Sequence, residues 1–285
     1  MKALVTGAAG FLGSHVCDRL VADGHLVTGL DDLSTGHLSN IAAVRRRKGF
    51  SFHHFDVGSE LVADLLARER PEVVVHAAPV LPVHLLAAAR AVGSRVVVAG
   101  SAEVYGPTQA PVTERSGTHP ANLAGAHHAA VEAYVHAHVN RGLDAATLRL
   151  TSVYGPRSRG VVTRWARALR AGRPTYVRGD GSAVRDLVHV DDVVDAVVRC
   201  LGGKADGRRL NLGTGTGTTV RRLHSAVAAA VGGADAPEFR AASEEDLASV
   251  RVDPGGARRA LGWEATVGLT EGLSRTLDVT VLRRR

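Results

Sequence analysis

Thr6-Gly7-Ala8-Ala9-Gly10-Phe11-Leu12-Gly13 is the stretch that decides the fold. It separates a short apolar run, Ala3-Leu4-Val5, from an apolar helical pattern between Phe11 and Leu20. The reading is a turn between a strand and a helix. Gly7 permits the tight turn, Gly10 lets backbone N–H groups approach a pyrophosphate, and Gly13 lets the helix pack closely on the strand. A glycine fingerprint alone is weak, but this one has its strand–turn–helix context. Asp31 follows Gly13 by 18 residues, at the end of the run Leu26–Leu30. A carboxylate there accepts hydrogen bonds from an adenosine ribose diol and repels a 2′-phosphate. The expected cofactor is NAD(H), with NADP(H) left open. The competing reading is a structural glycine turn beside a surface aspartate.

Outward from this turn, short β-branched runs alternate with helical stretches. Strands are expected at 26–30, 50–55, 73–75, 95–99 and 145–150, and helices at 61–68, 83–92 and 120–140. Continuous valine runs such as Val73-Val74-Val75 suit parallel strands buried on both faces. The alternation implies an α/β fold, a Rossmann-type doubly wound parallel sheet. After Pro156 the pattern breaks into short helices near 161–171, 192–201, 218–231 and 256–262 among glycine-rich loops. The expected division is a dinucleotide-binding domain over 1–155, to which later segments return, and a small C-terminal substrate lobe over most of 156–285.

The chain has 285 residues, 45% hydrophobic and 22% charged, which is ordinary globular composition and excludes a disordered or fibrous class. No apolar run is long enough for a membrane span. A strand pattern begins at Lys2 with no basic leader before it, so a secretory signal is not expected. Cys17 and Cys200 are isolated and fit no metal or redox spacing, which points to a reducing cytoplasm. The net charge is +7, carried almost wholly by arginine, because lysine stands only at 2, 48 and 204. The densest basic runs are Arg45-Arg46-Arg47-Lys48 and Arg283-Arg284-Arg285. No nucleic-acid motif accompanies them, so the charge is read as attracting anionic small molecules rather than nucleic acid.

The glycine spacing resembles the short-chain dehydrogenase/reductase superfamily. Further motifs resemble its extended branch, the NAD-dependent epimerase/dehydratase family. They are Asp31-Asp32-Leu33-Ser34-Thr35-Gly36, His76-Ala77-Ala78, Val153-Tyr154-Gly155-Pro156-Arg157, Arg185-Asp186-Leu187-Val188-His189-Val190-Asp191-Asp192-Val193 and Asn211-Leu212-Gly213-Thr214-Gly215. By that resemblance Asp56 and Val57 lie at the adenine. Ala77 and Ala78 line the path to the nicotinamide, and Leu150 to Val153 lie near its ring. Ser152 and Arg185 face the substrate. Asp191 and Asp192 are expected to cap the following helix.

The resemblance also implies a catalytic Ser, Tyr and Lys, and here the sequence departs. Ser101 in Ser101-Ala102-Glu103-Val104-Tyr105-Gly106 takes the serine position. In the frame of the Tyr–Lys segment, Ala124 stands where tyrosine belongs and His128 where lysine belongs. The four tyrosines, 105, 134, 154 and 176, have Gln109, His138, Ser158 and Asp180 four residues on, so no Tyr-x-x-x-Lys exists in any frame. Ala78 and Ser101 are only 23 positions apart, about half the family's usual distance. That leaves room for one short helix near Val83–Val92, a wider pocket and a weaker dimer, so a monomer or weak homodimer is expected. The family's nucleotide-gripping arginine maps near Ser243, before Asp246.

Oxidising a sugar hydroxyl needs a positioned base, normally contributing roughly 10²–10⁴-fold. Reducing a carbonyl needs only a donor near the developing oxyanion. The missing phenol is therefore read as the mark of an atypical ketoreductase. Its substrate is expected to be a large aromatic polyketide ketone of the angucyclinone kind in antibiotic biosynthesis, with Ser101 as oxyanion donor and a substrate phenol delivering the proton. On that reading His128 contacts the cofactor ribose, with a structural histidine as the alternative, and Tyr105 forms the pocket wall. A metal held by His128, Glu132 and His136, at helical spacing of four, is weighed and set aside. Two further classes stay open: a nucleotide-sugar epimerase, dehydratase or reductase, and an inactive dinucleotide-binding sensor.

Overall fold

The alternating runs fold as the periodicity dictates, and the end of each strand sets where a ligand can lie. The structure, a computed structural model, describes residues 1–108, 110–243 and 249–277. Gln109, Asp246 and the Arg283-Arg284-Arg285 run lie outside the described residues. The first half runs β1 (Lys2–Thr6), α1 (Phe11–Ala22), β2 (Leu26–Leu30), β3 (Phe50–His53), α2 (Leu61–Glu69), β4 (Val73–His76), α3 (Val83–Val92), β5 (Arg95–Ser101), α4 (Leu123–Val139) and β6 (Ala145–Leu150). There follow β7 (Ser152–Tyr154), α5 (Val161–Arg170), β8 (Tyr176–Arg178), β9 (Val184–His189), α6 (Val190–Cys200) and β10 (Arg209–Leu212). The described chain ends with β11 (Gly217–Thr219), α7 (Val220–Val231), β12 (Glu238–Arg240), β13 (Ser249–Val250), α8 (Gly255–Leu261) and α9 (Leu269–Leu277).

Seven parallel strands form the main sheet in the order β10-β6-β5-β4-β1-β2-β3. The order reverses at β1, so the crevice between the ends of β1 and β4 is the topological switch point, where open α/β sheets bind ligands. Alternate residues of each strand face opposite layers. Leu4, Val74, Val96 and Val98 join α2, α3 and α4 in one core layer. Ala3, Val5, Val73, Val75 and Val97 join α1, α6 and α8 in the other. The short connection after β4 is filled by α3 alone, as its length requires. Beyond β6 the chain builds two small sheets, one around β9 with β7, β11 and β13, the other pairing β8 with β12. Between them it sends β10 back to the edge of the main sheet, beside β6.

The Asp191-Asp192 pair does not cap α6. His189 takes the cap position, its Nδ1 accepting from the Asp191 amide at 3.3 Å. Asp192 is buried and reaches sideways instead. Its oxygens accept from the Thr266 amide and hydroxyl and from the Val267 amide, while its carbonyl takes the indole N–H of the fully buried Trp263 at 2.8 Å. A carboxylate one turn into a helix is placed to fasten a neighbouring segment, and here it docks the stretch before α9.

One buried ion pair ties α4 to the sheet. Arg149 on β6 meets Glu132 on α4 through two parallel hydrogen bonds of 2.7 and 2.6 Å, with side chains only 2% and 6% exposed. The remaining guanidinium edge donates to the Tyr105 hydroxyl at 2.6 Å, and that hydroxyl donates to Asn211 on β10 at 2.7 Å. Glu132 and Tyr105 hold the guanidinium protonated against the desolvation that burial imposes. Removing Glu132 would strand a buried cation, and we predict that Glu132→Ala lowers unfolding free energy by about 3–5 kcal/mol in chemical denaturation. A loss well under 1 kcal/mol would mean that the pair does not carry this junction.

Candidate active site

The glycine turn sits at the switch point as its sequence requires. Gly7 has φ +66°, and a Cβ there would stand 2.7 Å from the Ala77 carbonyl oxygen and 2.9 Å from the Ala78 amide nitrogen. A Cβ on Gly13 would collide with the Gly7 carbonyl oxygen. The two glycines therefore let β1, α1 and the end of β4 meet backbone to backbone. Gly10 precedes α1 in an extended conformation with no side-chain cap, and α1 has no acidic residue in its first turn. The amides around Phe11 and Leu12 are thus left for an external anion.

Asp31 is buried at 7% exposure, and both its oxygens have protein partners: Oδ2 accepts from the Ala9 amide at 2.9 Å and Oδ1 from the Leu33 amide at 2.7 Å. It therefore holds the glycine turn closed as well as presenting charge to the cleft. A carboxylate has lone pairs to spare for a ribose diol. A narrow cleft brings Gly7, Asp31, Asp56, Val57 and Ala78 together. Asp56 is exposed there and its Oδ1 accepts from the Gly58 amide at 2.8 Å, while Val57 is buried. A backbone cradle that a Cβ would fill, an uncapped helix start and a buried carboxylate together fit a dinucleotide.

Ser101 ends β5 and pairs in register with Leu150 at the end of β6, so Leu150 and the following Ser152-Val153 lie next to it. The Ser101 hydroxyl caps the turn 102–105, accepting from the Glu103 amide at 3.1 Å. The start of α4 is clamped onto this turn. Asn122 caps α4 and donates to Glu103, and a Cβ on Gly125 would stand 2.6 Å from the Glu103 carbonyl oxygen. Ala124 is exposed at this edge. One turn further on, His128 is half-buried, its Nδ1 buried without a hydrogen-bond partner. Burial lowers its pKa below the usual histidine value, and His127, edge-on at 5.4 Å, adds to this. Glu132 is committed to Arg149 and His136 is exposed, and among the described residues no three metal-binding side chains converge.

Tyr105 lies outside the cavity lining. It is 4% exposed, and its hydroxyl is engaged by Arg149 and Asn211. Ser152 and Arg185, by contrast, line one large cavity of about 890 Å³ between α5, β8, β9 and α7. Four more arginines join Arg185 in its wall: Arg164, Arg173, Arg178 and Arg240. Sequence reasoning missed these four, because nothing in their spacing along the chain marks them as one surface. Ser243, at the position aligned with a missing arginine, accepts a hydrogen bond from Arg178 at 3.0 Å.

A family model described as the NAD dependent epimerase/dehydratase family matches residues 3–213. The chain belongs to that family. It is 42% identical to a UDP-glucose 4-epimerase of Mycolicibacterium smegmatis, with 98% of each chain covered. Among solved structures, a UDP-glucose 4-epimerase of Thermus thermophilus in complex with NAD superposes with a TM-score of 0.87 at 33% identity over 98% of each chain. A Thermotoga maritima UDP-glucose 4-epimerase with UDP-glucose gives 0.91 at 29% identity, covering all of both chains. The Rossmann-type fold and an NAD-dependent family are thereby established.

The polyketide ketoreductase expectation is overturned. Relatives similar along the whole chain are named as sugar-nucleotide enzymes, and the empty Tyr–Lys positions do not by themselves change a substrate class. Among the described residues no helix is long and apolar enough to cross a membrane.

Two predictions test the cleft. Gly7→Ala should abolish NAD binding in a calorimetric titration, since both the φ and the Ala77 contact forbid a Cβ; unchanged affinity would dissociate this turn from the cofactor. His76, at the end of β4, is buried between Thr6 Oγ1 and the Val80 carbonyl, and burial lowers its pKa to about 4. Between the ordinary value of 6.5 and about 4 the unfolded chain binds a proton that the folded chain refuses. Its contribution is therefore complete above the ordinary value and lost as pH falls through this window, by about 3 kcal/mol. In acid-denaturation curves His76→Gln should lose that part of the slope.

Proposed function

We propose that this chain is an NAD-dependent enzyme acting on a nucleoside-diphosphate sugar, of the epimerase or dehydratase kind. The observation that carries the reading is the cavity wall of five arginines, which reaches Ser152, two residues past the end of β6. Guanidinium groups match phosphate oxygens bidentately, so such a wall suits a diphosphate. End-to-end similarity to a UDP-glucose 4-epimerase supports it.

In this reading residues 1–155 form most of the cofactor domain and 156–285 most of the substrate lobe. Gly7, Gly10, Phe11, Leu12 and Gly13 hold the pyrophosphate, Asp31 the adenosine ribose, and Asp56 and Val57 the adenine. Ala77, Ala78, Leu150 and Val153 flank the nicotinamide, and His128 contacts its ribose. NAD, when bound, supplies a reversible hydride acceptor. Arg185 and Ser152 orient the sugar nucleotide, and Ser101 hydrogen-bonds the reacting sugar oxygen. With alanine at 124, no phenol takes the hydroxyl proton, so the chain's own residues bind and orient better than they move that proton. The same alanine favours a second reading, a sensor that binds both ligands without turnover.

UDP-glucose should raise the melting temperature in the presence of NAD, and Arg185→Ala should weaken that binding roughly tenfold, the worth of one charge-assisted hydrogen bond. Failure of every nucleotide sugar to bind the NAD-loaded protein would sink the proposal. Installing the pair, Ala124→Tyr with His128→Lys, should raise UDP-glucose/UDP-galactose interconversion by roughly 10²–10⁴-fold. Wild-type protein that binds both ligands but shows no turnover would favour the sensor.

A further inference from the structure

In the nucleotide-sugar reading, alanine at 124 leaves the sugar hydroxyl without a phenol to take its proton. Ser101 ends β5, and the first turn of α4 carries Ala124. Glu103 lies between the two and touches both. Its amide donates to Ser101 Oγ at 3.1 Å, and its carboxylate Oε2 accepts from Asn122 Nδ2 at 3.2 Å. Asn122 is held in turn, its Oδ1 accepting from the Gly125 amide at 2.8 Å. Ala124 stands between Asn122 and Gly125, and a Cβ on Gly125 would stand 2.6 Å from the Glu103 carbonyl oxygen. The contact that seats α4 on the 102–105 turn therefore also brings the Glu103 carboxylate to the start of α4, where Ala124 is exposed.

Glu103 is half-buried, and among the described residues Asn122 is the one hydrogen-bond donor to its carboxylate and no ion pair reaches it. The carboxylates around the Tyr105 network are committed elsewhere, Glu132 to the Arg149 guanidinium and Glu114 to the Asn211 amide at 2.8 Å. An ionised carboxylate only accepts, and with Oε2 on Asn122 the Oε1 lone pairs are left for a donor from outside the protein. Ser101 Oγ accepts from the Glu103 amide, so its own hydrogen is free to donate to a substrate oxygen.

We infer that Glu103 is the proton acceptor of this site, in place of the missing phenol. The reacting sugar hydroxyl donates to Glu103 Oε1 while its oxygen accepts from Ser101. As the C–H bond breaks and hydride leaves for the nicotinamide, the O–H bond breaks and its proton passes to the carboxylate. The carbinol carbon is oxidised to a ketone and the nicotinamide is reduced. On return of the hydride to carbon, the protonated Glu103 gives its proton back to the oxygen, so the cycle closes with no further reactant. A carboxylate is a much weaker base than a phenolate, so this turnover is slow beside that of a tyrosine enzyme. The inference rests on the nucleotide-sugar reading of the site.

The test is Glu103→Gln, assayed in the NAD-loaded protein for interconversion of UDP-glucose and UDP-galactose. Glutamine keeps an oxygen for Asn122 but cannot take a proton. Its kcat should fall roughly 10²-fold, while the calorimetric affinity for UDP-glucose and the melting temperature stay at wild-type values. Added formate should restore part of the rate to Glu103→Ala, since a small carboxylate fits the space the side chain vacates. With Ala124→Tyr and His128→Lys in place, Glu103→Gln should cost far less, because a phenol then takes the proton. A Glu103→Ala variant with a lowered melting temperature and no response to formate would make the residue a structural tie and overturn the inference. A glutamine variant that turns over at the wild-type rate also overturns it and leaves the nucleotide-sugar reading standing, as does wild-type protein that binds UDP-glucose without turnover. Failure of the NAD-loaded protein to bind any nucleotide sugar overturns both.

Discussion

The site depends on a close backbone approach that joins Gly7, Gly13 and the Ala77-Ala78 peptide. With any side chain at 7 or 13, α1 moves away from β1 and the end of β4 moves away from the turn. The crevice at the switch point would then open, and the uncapped amides of α1 would no longer face it. Asp31 reinforces the contact from the other side by holding the Ala9 amide. A single constraint of this kind positions the cleft, because the parallel register carries it outward: Thr6 aligns with His76, His76 with Val98, and Ser101 with Leu150.

A second constraint acts where the family's proton chemistry would lie. The Glu132–Arg149 pair and the Tyr105–Asn211 bond fix α4 and the turn after Ser101 to β6 and β10. Such a network is insensitive to what stands at 124 and 128. The scaffold therefore persists with alanine and histidine there, and loss of the usual residues leaves the surrounding architecture in place. This is why reading those two positions as evidence of a different substrate led to the wrong class. Catalytic side chains report on rate, whereas a cavity wall reports on the ligand it can hold, and the wall between α5 and α7 is cationic.

The fold was legible in the first 150 residues because each strand and helix there is marked by its own period and closed by its own turn chemistry. The Gly7–Gly13 stretch, the valine strands and the short α3 all came from local pattern. The positions that line the switch-point cleft were legible through motifs that follow strands, since a strand end has one place to go in a parallel sheet. Tyr105 and the Asp191-Asp192 pair were not, because each has several polar partners in reach and only packing chooses among them. Asp192 reaches Thr266 and Val267, 74 and 75 residues away in the chain.

The sequence by itself determined the doubly wound sheet, the glycine turn at its switch point and the place of Ser101 at the end of β5, because these follow from periodicity and from conformations open only to glycine. The tertiary structure alone decided the arginine cavity and the buried Arg149 network. Their members come from separate elements, and contacts between segments distant in the chain leave no period or spacing behind. What such groups do together is settled by burial, which fixes the partner each polar atom must find.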